Sequence, residues 1–210
     1  MRQRAPGGAE AKERTEHAAI FARDRPAWVK FAWQATSRRA GPRAAGRGRL
    51  WQGAAMSQHT AHVVWSRGGA EFQLKTYARD HQTTFDSGVT LPVSAAAGPA
   101  IPPGTVGAGT VDPEELTVAA LSSCHMLFFL ALSAKRGLVI DAYDDEPVGV
   151  LENKDGATWL TKITLRPAVT WGGEPPTAAV VDELHHEAHK RCYIGNSLKS
   201  EIVIEPRAAG

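Results

Sequence analysis

The stretch "VDPEELTVAALSSCHMLFFLALSAKRG", residues 111–137, decides what the rest of the chain must accommodate. Asp112 is a good helix N-cap, Pro113 suits the first helical position, and Glu115 three residues past the cap completes a capping box. Glu114 and Glu115 favour the positive end of the helix dipole. Lys135 and Arg136 suit its negative end, and Gly137 is a natural stop. The spacing predicts one helix over 113–136, about 36 Å long at ~1.5 Å per residue. Between Leu116 and Leu132 it is apolar nearly all round, so every side needs cover. A sheet of the same chain can cover one face. The simplest cover for the other is a second copy of the helix, which predicts a two-fold dimer with the Cys124 helices at its centre. The competing arrangement is a monomer in which a second helix covers the remainder.

Composition narrows the class. The chain has 210 residues, 43% apolar and 22% charged, long enough for one domain-sized core. Its net charge of +2 hides an asymmetry. Residues 1–55 carry 12 Lys+Arg against 4 Asp+Glu, a balance of +8, and the remainder 12 against 18, a balance of −6. An acidic body argues against a nucleic-acid partner. The 19 positions from Leu116 to Ala134 hold no charged residue, close to the length of a membrane span. Thr117, Ser122, Ser123, His125 and Ser133 make that window polar for a lone span, so no membrane role is expected.

Residues 1–55 read as a separate segment, rich in Arg, Ala and Gly and without amphipathic period. An Arg-rich transit peptide is weakened by Glu10, Glu13, Glu16 and Asp24. The expectation is a disordered extension, or one mis-assigned upstream of a natural start at Met56. Residues 56–210 form the folded domain, read as β-β-(β)-α-β-β-α-β. "HTAHVVWSR" and "AEFQLKTYAR" are expected to form a hairpin through Gly68-Gly69, with "TTFDSGVTLPVSA" a further extended piece. A Pro/Gly loop fills 96–111. "LVIDAYDDEPVGVLEN" and "ATWLTKITLRPAVTW" read as an antiparallel pair turning near Asn153–Gly156. A helix broken near Cys192–Asn196 and a closing strand "KSEIVIEP" follow.

Cys124 and Cys192 are the only cysteines, too few for a disulfide framework. With no signal peptide visible, a reducing cytoplasmic setting is expected. A free thiol with a pKa near 8.5 is only about 3% thiolate at pH 7. Cys124 lies ten residues past Glu114, beyond reach of the helix dipole, so activating it requires a cation from elsewhere in space. Those ten residues span about 15 Å, so Glu114 and Cys124 of one helix do not touch. Three readings stay open. Cys124 is a packed core residue; or it pairs with Cys192, one thiol attacking and the other resolving; or His185, His189 and Cys192, at i, i+4 and i+7, hold a metal.

Two motifs carry a resemblance. "VDPEELTVAALSSCHMLFFLAL" resembles the Asn/Asp-Pro-Glu-x-Leu-x-x-Ala-x-x-x-x-Cys helix of the OsmC/Ohr family, the osmotically inducible and organic hydroperoxide resistance proteins. "AHKRCYIGNSLKSEIVIE" is similar to that family's second cysteine segment. The resemblance covers about Ser57–Pro206. It implies an α+β fold, antiparallel sheets wrapped around central helices in an interlocked homodimer. It implies a thiol-dependent peroxidase that reduces organic hydroperoxides, with Cys124 peroxidatic and Cys192 resolving. No bound cofactor or metal is implied; an external dithiol, a lipoyl group or similar, would be the reductant. Glu114 matches the glutamate that holds a catalytic arginine. Arg79 in "YARDHQTTF" is the counterpart by region, with His81 on the same strand face, and Arg67 is the other option. His125, about 100° around the helix from Cys124, is expected at the dimer interface. The alternatives are a non-catalytic member that binds a small apolar or thiol-reactive ligand, and the His/Cys metal module.

Overall fold

The computed structural model describes residues 57–208; the expectation for 1–55 lies outside the described residues. Strands β1 (Ala61–Val64), β2 (His81–Phe85) and β3 (Thr90–Val93) precede helix α1 (Pro113–Lys135). Strands β4 (Ile140–Asp145), β5 (Val148–Lys154), β6 (Ala157–Leu165) and β7 (Pro167–Trp171) follow. Helix α2 (Ala178–Arg191), the short α3 (Tyr193–Ser197) and strand β8 (Glu201–Ile204) complete the element order. The strands form three sheets, β1-β2-β3, β4-β7 and β5-β6-β8.

The capping box of α1 forms as expected: the Asp112 side chain accepts from Glu115 N–H at 2.7 Å, and Glu115 accepts from Asp112 N–H at 3.1 Å. The helix ends at Lys135, with Arg136 as C-cap and Gly137 in the left-handed region at φ 73°. Its buried side chains are Leu121, His125, Phe129 and Ser133, one stripe at four-residue spacing. The expected all-round burial is therefore not met within one chain. Ala119, Ala120, Ser123, Leu127, Ala131 and Ala134 are exposed, Leu127 to 60%. By length and composition α1 could cross a membrane, at a mean hydropathy of 1.8. Here it lies against α2 and against β4, β5 and β6.

Gly149 on β5 lets α1 come close, since a Cβ there would lie 2.6 Å from the Val118 side chain. The β5–β6 hairpin turns where expected, through Asp155 at φ 54° and Gly156 at φ 80°. The two long strands read from the sequence are each broken in two. Pro147 and Pro167 have no N–H to give a ladder, and the pairing changes sheet at both. Asp145 bridges the break: it accepts from Arg166 N–H at 2.6 Å and from the Ser122 hydroxyl at 2.5 Å.

The N-terminal hairpin is corrected. Residues 70–79 are not a strand; β1 pairs antiparallel with β2, Ala61 opposite Phe85 and Val64 opposite Gln82. Residues 66–80 loop out in turns around Trp65, Phe72 and Tyr77, and the Trp65 indole N–H donates to Ala78 O at 2.8 Å. Aromatic clustering replaces a ladder that the residue types alone would allow. The closing strand β8 pairs parallel to β6, Ile163 opposite Ile202, the one departure from an otherwise antiparallel set among the named strands.

Candidate active site

Two apolar clusters lie along α1. Leu121, Ile163, Leu165 and Cys192 form the first, with Cys124, Val118, Ile194 and Ile202 packed against it. Phe129, Leu184 and Ala188 form the second, walled by Phe128, Tyr143 and Trp171 among others. Each such buried aliphatic or aromatic side chain contributes about 1.5–3 kcal/mol relative to exposure.

The two thiols meet in the first cluster although 68 residues separate them in sequence. α1 carries Cys124 to its partly exposed edge; the break between α2 and α3 carries Cys192 to its centre, where it is fully buried. Neither thiol is in a disulfide. Gly195 N–H donates to Sγ of Cys192 at 3.3 Å, and that sulfur faces Leu121 O at 4.0 Å. Burial pushes the Cys192 thiol up to about 11; the Gly195 N–H pulls it down, and the nearby Cys124 thiol raises it further. Tyr193, 68% exposed, meets Phe128 edge to face at 5.1 Å, one turn past Cys124.

The charged candidates lie elsewhere in the chain. Glu114 lines an open groove of about 230 Å³ with Thr117, Leu151, Thr158 and Trp159. Contrary to the sequence reading, Arg79 does not share a strand with His81; it stands two residues before β2. Its guanidinium donates to Leu74 O at 3.1 Å and Tyr77 O at 3.3 Å and lies over the Tyr77 ring at 4.3 Å. His81 Nδ1 lies 2.9 Å from Arg79 O. Arg67 donates to Ala70 O at 3.0 Å. The structure thus brings Cys124 and Cys192 together, and holds Arg79 and Arg67 within the β1–β2 connection.

His125 corrects the sequence reading. It is not an interface side chain; it is fully buried, and its Nε2 lies 3.1 Å from Nδ1 of His185 on α2. The rings are stacked at 5.4 Å and 9°, and His185 also stacks on Phe129 at 4.3 Å. Burial lowers both imidazoles to about 4. The signal was present in the sequence: His125 stands midway in the Leu121–Phe129 four-residue series. The metal reading of His185, His189 and Cys192 loses its basis here. His185 faces His125, Cys192 lies in the thiol cluster, and no group of three metal-binding side chains occurs among the described residues.

A long helix packed on strands and a second helix, with two thiols in one apolar cluster, defines an α+β thiol protein. Residues 106–207 match the family model described as OsmC-like protein. A solved OsmC-like protein of unknown function from Vibrio cholerae is 42% identical, with a TM-score of 0.68; the match covers 72% of this chain and 100% of that one. An OsmC-like protein from Mycoplasma pneumoniae is 14% identical at TM-score 0.57, covering 74% of this chain and 100% of that one. The organic hydroperoxide resistance protein OhrB of Bacillus subtilis is 17% identical at TM-score 0.51, covering 74% and 100%. No curated protein matches the chain. The chain belongs to the OsmC/Ohr family.

Proposed function

We propose that this protein is a thiol-dependent peroxidase that reduces organic hydroperoxides, acting as a cytoplasmic homodimer. The observation that carries the reading is the convergence of Cys124 and Cys192 in one apolar cluster, with Cys124 at its accessible edge. The Cys124 thiolate attacks the distal oxygen of ROOH. An S–O bond forms, the O–O bond breaks, and the alkoxide leaves and is protonated to the alcohol. Cys192 then attacks the sulfur of the sulfenic acid, its thiol proton passing to the departing hydroxyl. An S–S bond forms, the S–O bond breaks, and water leaves. A dithiol such as a lipoyl group supplies the two electrons that restore both thiols. Apolar walls around Cys124 suit an alkyl tail over hydrogen peroxide.

The cation comes with the second copy. The exposed face of α1 and the exposed Val63, Phe72 and Leu74 of the N-terminal arm support pairing of two chains. In the pair, Arg79 and Glu114 would approach the thiols. The deciding experiment compares Cys124 oxidation by an alkyl hydroperoxide with that by hydrogen peroxide, followed by peptide mapping of the disulfide. Faster reaction with the alkyl substrate and a Cys124–Cys192 crosslink are expected. Unjoined, equally sluggish thiols would favour the non-catalytic ligand-binding reading instead.

A further inference from the structure

Two buried imidazoles facing each other in an apolar interior are costly, because a polar atom there without a partner has lost its hydration and gained nothing in return. His125 and His185 share one hydrogen bond, and each keeps a second ring nitrogen, Nδ1 and Nε2 respectively, buried without a partner. A Leu or Phe pair would fill this space without that cost. The position of the pair gives it a use.

Contacts between α1 and α2 run in opposite sequence directions. Arg136 meets Glu183 at 2.9 Å at the outer end, His125 meets His185 in the middle, and Leu121 meets Cys192 at the inner end. The outer ion pair is exposed, so it constrains the helices little. His125 is covalently next to Cys124, and His185 stands two helical turns before Cys192 on the same face of α2. The imidazole hydrogen bond is directional, with Phe129 stacked on the His185 ring, and it lies between the thiol cluster and the aromatic cluster. Apolar contacts tolerate sliding of one helix along another; a ring-to-ring hydrogen bond does not.

We infer that His125 and His185 are positioning residues, a clamp between the two helices that sets the separation of the Cys124 and Cys192 sulfurs for disulfide closure. The inference rests on the two-thiol reading above. The effective concentration of one sulfur at the other is what closure depends on, and the disulfide potential reports that quantity directly.

The experiment uses the full-length chain. Stopped-flow measurements with an alkyl hydroperoxide separate oxidation of Cys124 from closure, and equilibration with a dithiol redox buffer gives the potential. In His185→Leu, closure is expected to slow about tenfold and the potential to rise by about 30 mV, the equivalent of tenfold in equilibrium. Cys124 oxidation should change less than twofold. His185→Gln, which keeps a donor and an acceptor, should recover closure to within about threefold. Should His185→Leu fail to fold, His185→Asn, whose shorter side chain leaves a gap to His125, is measured in its place. Wild-type closure and potential in the folded variant overturn the clamp. A wild-type protein that forms no Cys124–Cys192 disulfide at all overturns the peroxidase reading and the clamp with it.

Discussion

The backbone N–H of Gly195 points at the sulfur of Cys192, 3.3 Å away, inside a cluster of Leu121, Ile163 and Leu165. A soft sulfur suits this place because it fills apolar volume and still accepts weakly. Cys192→Ser puts a strongly polar hydroxyl in the same cluster and should cost about 1–3 kcal/mol of stability. Cys192→Ala should keep the apolar character and leave Gly195 N–H without its acceptor, at about 1–3 kcal/mol. Urea denaturation of both variants measures this. Both should also stop disulfide closure and let sulfenic acid on Cys124 accumulate or overoxidise; Cys124→Ser should abolish peroxide consumption.

Acid should loosen the α1–α2 contact. Both imidazoles are held at about 4, chiefly by burial, against an ordinary value of 6.5. For His125 the neighbouring His185 and His189 add to the lowering; for His185, Asp182 and Asp145 oppose it. A histidine lowered on folding is protonated more readily in the unfolded chain. Stability from the pair is therefore complete above about pH 6.5 and declines as pH falls through 6.5 toward 4. The loss should be on the order of 3 kcal/mol for each imidazole across that window. Denaturation midpoints at pH 7 and pH 4.5 check it, and His125→Phe with His185→Leu should flatten the slope.

Leu127 tests the pairing of chains. It is 60% exposed on a helix face whose neighbours Ser123 and Ala131 are small. If a second copy covers that face, Leu127→Glu places a charge in an apolar interface. Sedimentation should then show monomers, with the far-ultraviolet spectrum of the fold retained. An unchanged dimer would place the contact elsewhere.

Asp145 joins three elements, accepting from Ser122 on α1 and from Arg166 between β6 and β7. Asp145→Ala removes both bonds and should cost about 2–4 kcal/mol. Asp112→Ala, which removes only the helix cap, should cost about 1 kcal/mol. Thermal unfolding of the two variants side by side gives the ratio.

Local chemistry made much of this fold legible. Asp112, Pro113 and Glu115 mark the start of α1, Gly137 its end, and Asn153–Gly156 the β5–β6 turn, because each acts through neighbours a few residues away. Residues 70–79 misled because their strand propensity is overridden by the Trp65–Phe72–Tyr77 cluster, a tertiary effect. The parallel placement of β8 on β6 depends on where the chain returns after α3, which no local pattern encodes. At the site, the family motifs named both cysteines. The partner of His125 stayed hidden because 60 residues separate it from His185, and no local pattern spans that distance.

Arg207 N–H donates to Pro167 O at 2.8 Å, its side chain to Arg166 O at 2.7 Å, and its guanidinium pairs with Asp144 and Glu146. This late residue stitches down the bent joint between β4–β5 and β6–β7, just after β8 has run alongside β6. During synthesis, a ribosome must therefore release the polypeptide past position 207 before the sheet behind the sulfurs is closed. The nascent chain carries Cys124 for some eighty residues of elongation before its finished surroundings are in place.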